Sequence, residues 1–154
     1  MTDGTGHKTY ERGRWHHLEN RFTSLLTGAG LIPNTYLLTT IGRKSGEQRR
    51  NPVTIVQEGG RRWLVSPYGI VPWVLNVRVN DEVTLRRRGR ERRFRVVPVS
   101  AEDARPVLKR YLAMSSVVRP YFRADRHAPV EDFAADAADH PVFELLPVDD
   151  VRVP

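Results

Sequence analysis

The sequence predicts an α+β fold built around a small β-barrel. Three observations carry this: apolar runs of strand character dominate the middle of the chain, helical periodicity is confined to the flanks, and short glycine-containing turns join the strands. A chain of 154 residues can bury one hydrophobic core without disulfides or metals. A single domain over residues 1–154 is therefore expected, with residues 1–7 disordered.

Trp15, Leu18, Phe22, Leu25 and Leu26 recur at helical spacing within residues 8–27, and Gly28, Gly30 and Pro33 end the pattern. This N-terminal amphipathic helix suits the open side of a barrel; a membrane-surface helix carries the same signature. Residues 37–41, 53–57 and 62–66 read as a strand meander, with Glu58-Gly59-Gly60-Arg61 as the hairpin turn between the last two. Pro72 sets the start of a short helix, because proline at the first helical position loses no hydrogen bond. Residues 83–85 and 94–97 flank the Arg88-Gly89-Arg90 turn, and arginine is expected at the outward positions of that hairpin. Ser100 followed by Glu102 and Asp103 resembles a capping box for a helix to about residue 113, with Val107, Leu108, Tyr111 and Leu112 as its buried stripe. A polar, alanine-rich segment follows, and residues 142–146 form a closing strand.

Composition narrows the function classes. With no cysteine there is no disulfide framework, thiolate chemistry or Cys-based zinc site, which makes the cytoplasm the expected location. Residues 1–8 are polar and precede no apolar run of signal-peptide or membrane-spanning length. A net charge of +7 invites a nucleic-acid reading, but arginine outnumbers lysine 22 to 3, a ratio typical of GC-rich coding. The arginines crowd one hairpin without interleaved stacking aromatics, so nucleic acid is not an expected partner.

The stretch from Leu37 to Thr54 is the most informative, since an apolar strand empties into Gly42-Arg43-Lys44-Ser45-Gly46 and a second strand begins at Asn51-Pro52. Gly42 and Gly46 permit positive φ and close backbone approach, while Arg43, Lys44, Ser45, Arg49 and Arg50 offer donors to a phosphate or carboxylate. Local physics leaves two readings open, an anion site and a solvated basic turn.

Lys44-Ser45 lacks the glycine that a P-loop places before its lysine, and no Gly-x-Ser-x-Gly elbow or Gly-x-Gly-x-x-Gly fingerprint occurs. None of His7, His16, His17, His127 and His140 stands in a spacing that pairs two imidazoles on one metal, and Asp136, Asp139 and His140 read as a solvated acidic loop, so no metal is expected. Side chains without cysteine carry no hydride, so redox chemistry here requires an organic cofactor.

Thr39-Thr40-Ile41-Gly42-Arg43-Lys44-Ser45-Gly46, Arg50-Asn51-Pro52-Val53, Gly59-Gly60-Arg61, Ser66, Gly69 and Trp73-Val74-Leu75-Asn76, in this order and spacing, resemble the deazaflavin (F420)-dependent nitroreductase family of actinobacterial oxidoreductases. The resemblance runs from Tyr36 to Val99. It implies a split β-barrel, of the FMN-binding split-barrel type, and coenzyme F420 as cofactor, with FMN a poorer match. It also implies that Arg43, Lys44, Ser45 and Gly46, with Arg49 and Arg50, meet the phosphate and glutamate tail of F420. Asn51, Pro52, Val53 and Thr54 would run beside the tricyclic ring, and Val65, Ser66, Pro67, Tyr68, Trp73 and Asn76 would complete the pocket, Asn76 bonding a polar edge of the ring system.

The implied reaction moves a hydride between reduced deazaflavin and an electron-poor small molecule such as an enone, quinone or nitro compound. Tyr68 and Tyr121 are the proton donors to consider, because a phenol with a pKa near 10 is protonated at neutral pH. The loop from Ser66 to Trp73 is shorter than the nitroreductase loop, and the C-terminal region is longer. The Trp-Val-Leu-Asn-Val-Arg run, the arginine hairpin and the Pro-Val-Phe-Glu-Leu ending look nearer to a lipid-associated branch of the superfamily. The alternative expectation is therefore a lipid- or fatty-acid-binding barrel without redox activity, peripheral at the inner membrane face, its arginines on anionic head groups. A homodimer is compatible with either reading.

Overall fold

The computed structural model describes residues 34–148; the helix expected at the N-terminus and the disorder expected of residues 1–7 fall outside them. Six antiparallel strands close into a barrel in the order β1-β2-β3-β6-β5-β4. They are β1 (Thr35–Ile41), β2 (Gln48–Glu58), β3 (Arg61–Val65), β4 (Glu82–Arg87), β5 (Arg90–Pro98) and β6 (Val142–Pro147). Helix α1 (Pro72–Val79) joins β3 to β4, while α2 (Ala101–Met114), two 3-10 turns (Ser116–Tyr121 and Val130–Phe133) and α3 (Ala134–Asp139) join β5 to β6. The fold is thus the expected α+β barrel, and the alanine-rich segment adds a third helix that its short length hid from periodicity.

Period-2 alternation divides the core in two. Leu38, Val53, Ile55, Leu64, Val83, Leu85, Phe94, Val96, Phe143 and Leu145 fill the barrel, and Trp73, Val74 and Val77 of α1 join them. The alternate residues Val56, Trp63, Val65 and Val142 form an outer cluster covered by Val107, Leu108, Tyr111 and Leu112, the predicted stripe of α2, together with Phe133. Each such fully buried aliphatic side chain contributes about 1.5–3 kcal/mol, so α2 is held by this stripe rather than by propensity. The Ser100 hydroxyl accepts from the N–H of Asp103 at 3.1 Å, capping α2. Pro106 removes one helical N–H within α2, and the Glu102 carbonyl it would have met accepts Nε of Arg105 at 3.3 Å.

Two hairpins turn on residues of positive φ, Gly59-Gly60 (58° and 80°) and Arg88-Gly89 (52° and 75°), the signature of two-residue turns that follow strand twist. In the second, arginine fills the outward positions as expected and also occupies positions of inward parity. Arg86, Arg93 and Arg95 point outward, and meet Glu91, Glu82 and Asp81. Arg87 and Arg90 pair across the hairpin in the register that Leu85 and Arg92 continue inward, so Arg87, Arg90 and Arg92 face the end of the barrel's interior.

Pairing of β2 positions the site. Residues 48–54 pair with β1, but β3 joins β2 only from Ile55 to Glu58. The second edge of β2 from Asn51 to Thr54 therefore meets no strand among the described residues. Pro52, which has no N–H, fits such an edge.

Candidate functional site

The basic turn is built by its own backbone. The N–H of Gly42 donates to the Glu47 carbonyl at 2.7 Å, and the N–H of Gly46 donates to the Gly42 carbonyl at 2.8 Å. The Ser45 hydroxyl accepts from the N–H of Glu47 at 3.1 Å. Only Gly46 uses positive φ, at 73°. Gly42 sits in tight space: a Cβ there would lie 2.8 Å from Ser45 Oγ, which would have to rotate, and 3.2 Å from the Glu47 carbonyl. Because these N–H groups are committed within the turn, an anion here would be held mainly by side chains. Arg43, Lys44, Arg49 and Arg50 are exposed around it, and the one carboxylate, Glu47, pairs with Arg49 at 3.4 Å.

Helix α1 holds this turn from behind. Asn76 is 2% exposed; its Oδ1 accepts from the backbone N and from Nη1 of Arg43, and its Nδ2 donates to Thr40 Oγ1 at 3.1 Å. Both lone pairs of the amide oxygen are thus used inside the protein. Trp73, expected in the pocket, is 2% exposed and packs on Phe143 within the barrel core, with ring centroids 6.1 Å apart.

At the other end of the open β2 edge lies the loop after β3. Ser66 is fully buried; its N–H donates to the Pro141 carbonyl at 2.9 Å and its hydroxyl donates to the Gly69 carbonyl, closing a turn in which Gly69 has φ 84°. This turn presents Tyr68 half-buried between the two core clusters. The Tyr68 and Tyr121 rings meet edge to face with centroids 4.9 Å apart at 85°. Tyr111 lies near both Tyr68 and Thr54. Burial, and then the neighbouring Tyr121, raise the Tyr68 phenol above its ordinary range. Tyr111 is raised further by burial and by Tyr68, opposed in part by a hydrogen bond with Thr54.

Of the sequence-predicted residues, Arg43, Lys44, Ser45, Gly46, Arg49 and Arg50 gather at one end of the β2 edge, and Tyr68 and Tyr121 at the other. Pro52 and Thr54 lie on its outer face between them, half-buried, whereas Asn51 and Val53 turn inward and are buried. Val65 is buried beneath α2, and Pro67 is half-buried beside Tyr68.

Sequence reasoning missed the element that holds Tyr121. Asp136, read as part of a solvated loop, is fully buried and accepts the backbone N–H groups of Arg123 at 2.8 Å and Ala124 at 3.0 Å. His140, one helical turn on, places Nε2 2.9 Å from the Tyr121 carbonyl and stacks on Phe122 at 4.3 Å. The i, i+4 spacing of Asp136 and His140 was the available signal. No group of residues suited to hold a metal exists among the described residues.

Residues 15–131, well over half the chain, match the family model described as F420H(2)-dependent quinone reductase. Among solved structures, the F420-H2-dependent reductase FDR-A from Mycobacterium smegmatis superposes with a TM-score of 0.53 at 24% identity, covering 73% of this chain and 94% of that one. A candidate pyridoxamine 5'-phosphate oxidase from Listeria innocua gives 0.52 at 16% identity, covering 86% and 94%. General Stress Protein 26 from Bacillus anthracis gives 0.50 at 12%, covering 85% and 89%. At these identities the structural likenesses establish the split-barrel fold. No curated protein matches the chain.

Proposed function

Because the chain belongs to the F420H(2)-dependent quinone reductase family, an oxidoreductase family whose cofactor is coenzyme F420, we propose that it reduces a flat, electron-poor small molecule of the quinone, enone or nitro class at the outer face of β2. The observation that carries this reading is the placement of the basic turn and the Tyr68–Tyr121 pair at opposite ends of the strand edge from Asn51 to Thr54.

The residues fit the cofactor by the chemistry of their donors. Lys44, Arg43, Arg49 and Arg50 offer exposed cations to a phosphate and an anionic tail. Pro52 and Thr54 pair with β1 on one side and leave the other edge of β2 open, a surface beside which a planar ring can lie. When bound, the reduced deazaflavin supplies hydride equivalents to the acceptor. Tyr68, kept protonated by burial, holds a proton at its hydroxyl beside the acceptor's place, and Tyr121 fixes its ring from the edge. Asp136 and His140 anchor the Tyr121 segment through its backbone. No helix among the described residues is long and apolar enough to cross a membrane.

The test is oxidation of reduced F420 by purified protein with a naphthoquinone, a cyclic enone and a nitroaromatic as acceptors. Turnover of at least one, lost on Lys44→Ala at low cofactor concentration, supports the reading. F420 binding without turnover of any acceptor would overturn the substrate class.

A further inference from the structure

A second cleft lies away from the turn and the tyrosines. It encloses about 710 Å³ at the end of the barrel where β1 begins. Small-molecule sites typically enclose roughly 300–1,000 Å³. Tyr36 lines the cleft and Gly42 begins the basic turn at the far end of β1, so the two are separated by roughly 20 Å of strand.

Its floor is apolar and its rim is arginine. Ile55, Leu85 and Phe94, all buried members of the barrel core, form the floor. Above them stand Arg62 of β3 and Arg90 and Arg92 of β5, positions whose period-2 neighbours, Leu64 and Phe94, are core residues. The guanidinium groups of Arg62 and Arg92 lie over the Phe94 ring, 5.8 and 5.4 Å from its centroid, and that of Arg87 lies 5.7 Å from the Tyr36 ring centroid. Seated on an aromatic face, a guanidinium keeps its in-plane N–H groups available to an anion. Among the described residues no carboxylate comes within ion-pair distance of Arg62, Arg90 or Arg92; the outer-face arginines of the same hairpin, Arg86, Arg93 and Arg95, each have one. Glu91 also borders the cleft, and its carboxylate is 3.9 Å from Arg86.

We propose that this barrel mouth is a second ligand site, distinct from the cofactor groove, that takes an amphiphilic anion: an apolar body against Tyr36 and the arginine stems above the Ile55–Leu85–Phe94 floor, and a carboxylate, sulfate or phosphate head among Arg62, Arg90 and Arg92. A core that ends in inward-facing arginines has the polarity of such a ligand, apolar within and cationic at the opening.

The test uses the full chain with F420 at saturation and the fluorescent sulfonate 8-anilinonaphthalene-1-sulfonate as probe. Saturable dye binding is expected, displaced by dodecanoate and dodecyl phosphate but not by dodecanol or inorganic phosphate. Arg90→Gln with Arg92→Gln should weaken binding by at least about tenfold. Arg86→Gln with Arg93→Gln, the same charge change on the outer face, should leave it within about twofold. Displacement by phosphatidylglycerol vesicles with cosedimentation would assign the head group to a membrane lipid, and displacement by free amphiphiles alone would assign a soluble ligand; both support the site. Equal losses in the two double variants, displacement of the dye by F420, or no binding of any amphiphile by the full chain would overturn it. Thermal melts of both variants confirm that losses are read on folded protein.

Discussion

The side-chain oxygen of Asn76 accepts two hydrogen bonds from Arg43, one from its backbone N–H at 3.2 Å and one from Nη1 at 3.1 Å. A buried amide on α1 thereby fixes the start of the basic turn, and with Thr40 it ties helix, strand and turn into one unit. Asn76→Ala would strand the Arg43 N–H and remove the link to Thr40. A loss of about 1–3 kcal/mol in urea unfolding is expected. F420 affinity should fall several-fold, because the turn is no longer pre-set. Unchanged stability and affinity would show that the turn holds itself.

Arg43 and Lys44 should separate in the same assays. Among the described residues no carboxylate pairs with Lys44, whereas Arg43 is bound to Asn76. Lys44→Ala is therefore expected to cost roughly tenfold in F420 affinity, as loss of one charge-assisted contact does, with no change in melting temperature. Arg43→Ala should lower both. Preference for F420 over FMN should narrow as salt is raised, since the cations of the turn are exposed.

Tyr68→Phe keeps the ring and its contact with Tyr121 but removes the proton. It is expected to reduce kcat by about two orders of magnitude while F420 affinity is unchanged, and Tyr121→Phe should reduce it by less than about tenfold. Since the Tyr68 pKa is raised, its deprotonation should impose no alkaline fall in kcat below about pH 10. Stopped-flow rates across pH check both statements.

Tyr68 and Tyr111 also link stability to pH. Both folded pKa values lie above the unfolded value of 10.0, so the folded state holds its protons more tightly. Their contribution is complete below pH 10 and is lost as pH rises beyond it towards the folded values. The melting temperature should drop above about pH 10. Tyr111→Phe should flatten that drop, and calorimetry from pH 8 to 11 would show it.

Arg88 adopts φ 52° in the β4–β5 turn, a conformation in which a side chain is strained. Arg88→Gly should stabilise the fold by about 1 kcal/mol, seen as a higher urea midpoint at an unchanged slope. A lower midpoint would mean that the Arg88 side chain contributes more than its backbone costs.

Local signals in the sequence determined the elements themselves. Proline at residue 72, the Ser100 cap, the glycine pairs at the hairpins and the 3.6-residue stripe of α2 act within a few residues, and each appears where its short-range physics requires. The basic turn was legible for the same reason, as a glycine-bracketed cluster of cations on contiguous residues.

Tertiary structure decided what those elements face. Asn76 reads in the sequence as a polar residue of a short apolar helix, and only the packing of α1 across 33 residues of sequence commits its amide to Arg43. Asp136 and His140 look solvated in an alanine-rich stretch, and become buried because Asp136 accepts the backbone N–H groups of Arg123 and Ala124 and His140 meets the Tyr121 carbonyl, all brought to them by the crossover from β5 to β6. The arginine hairpin makes the same point through register. A strand's two faces differ by one residue: alternation puts Arg90 and Arg92 on the face of Phe94, and the closing of the barrel makes that face its mouth while Arg86 and Arg93 meet carboxylates outside. Period-2 alternation gives the parity, but what each face meets is set by the long-range closing of the sheet.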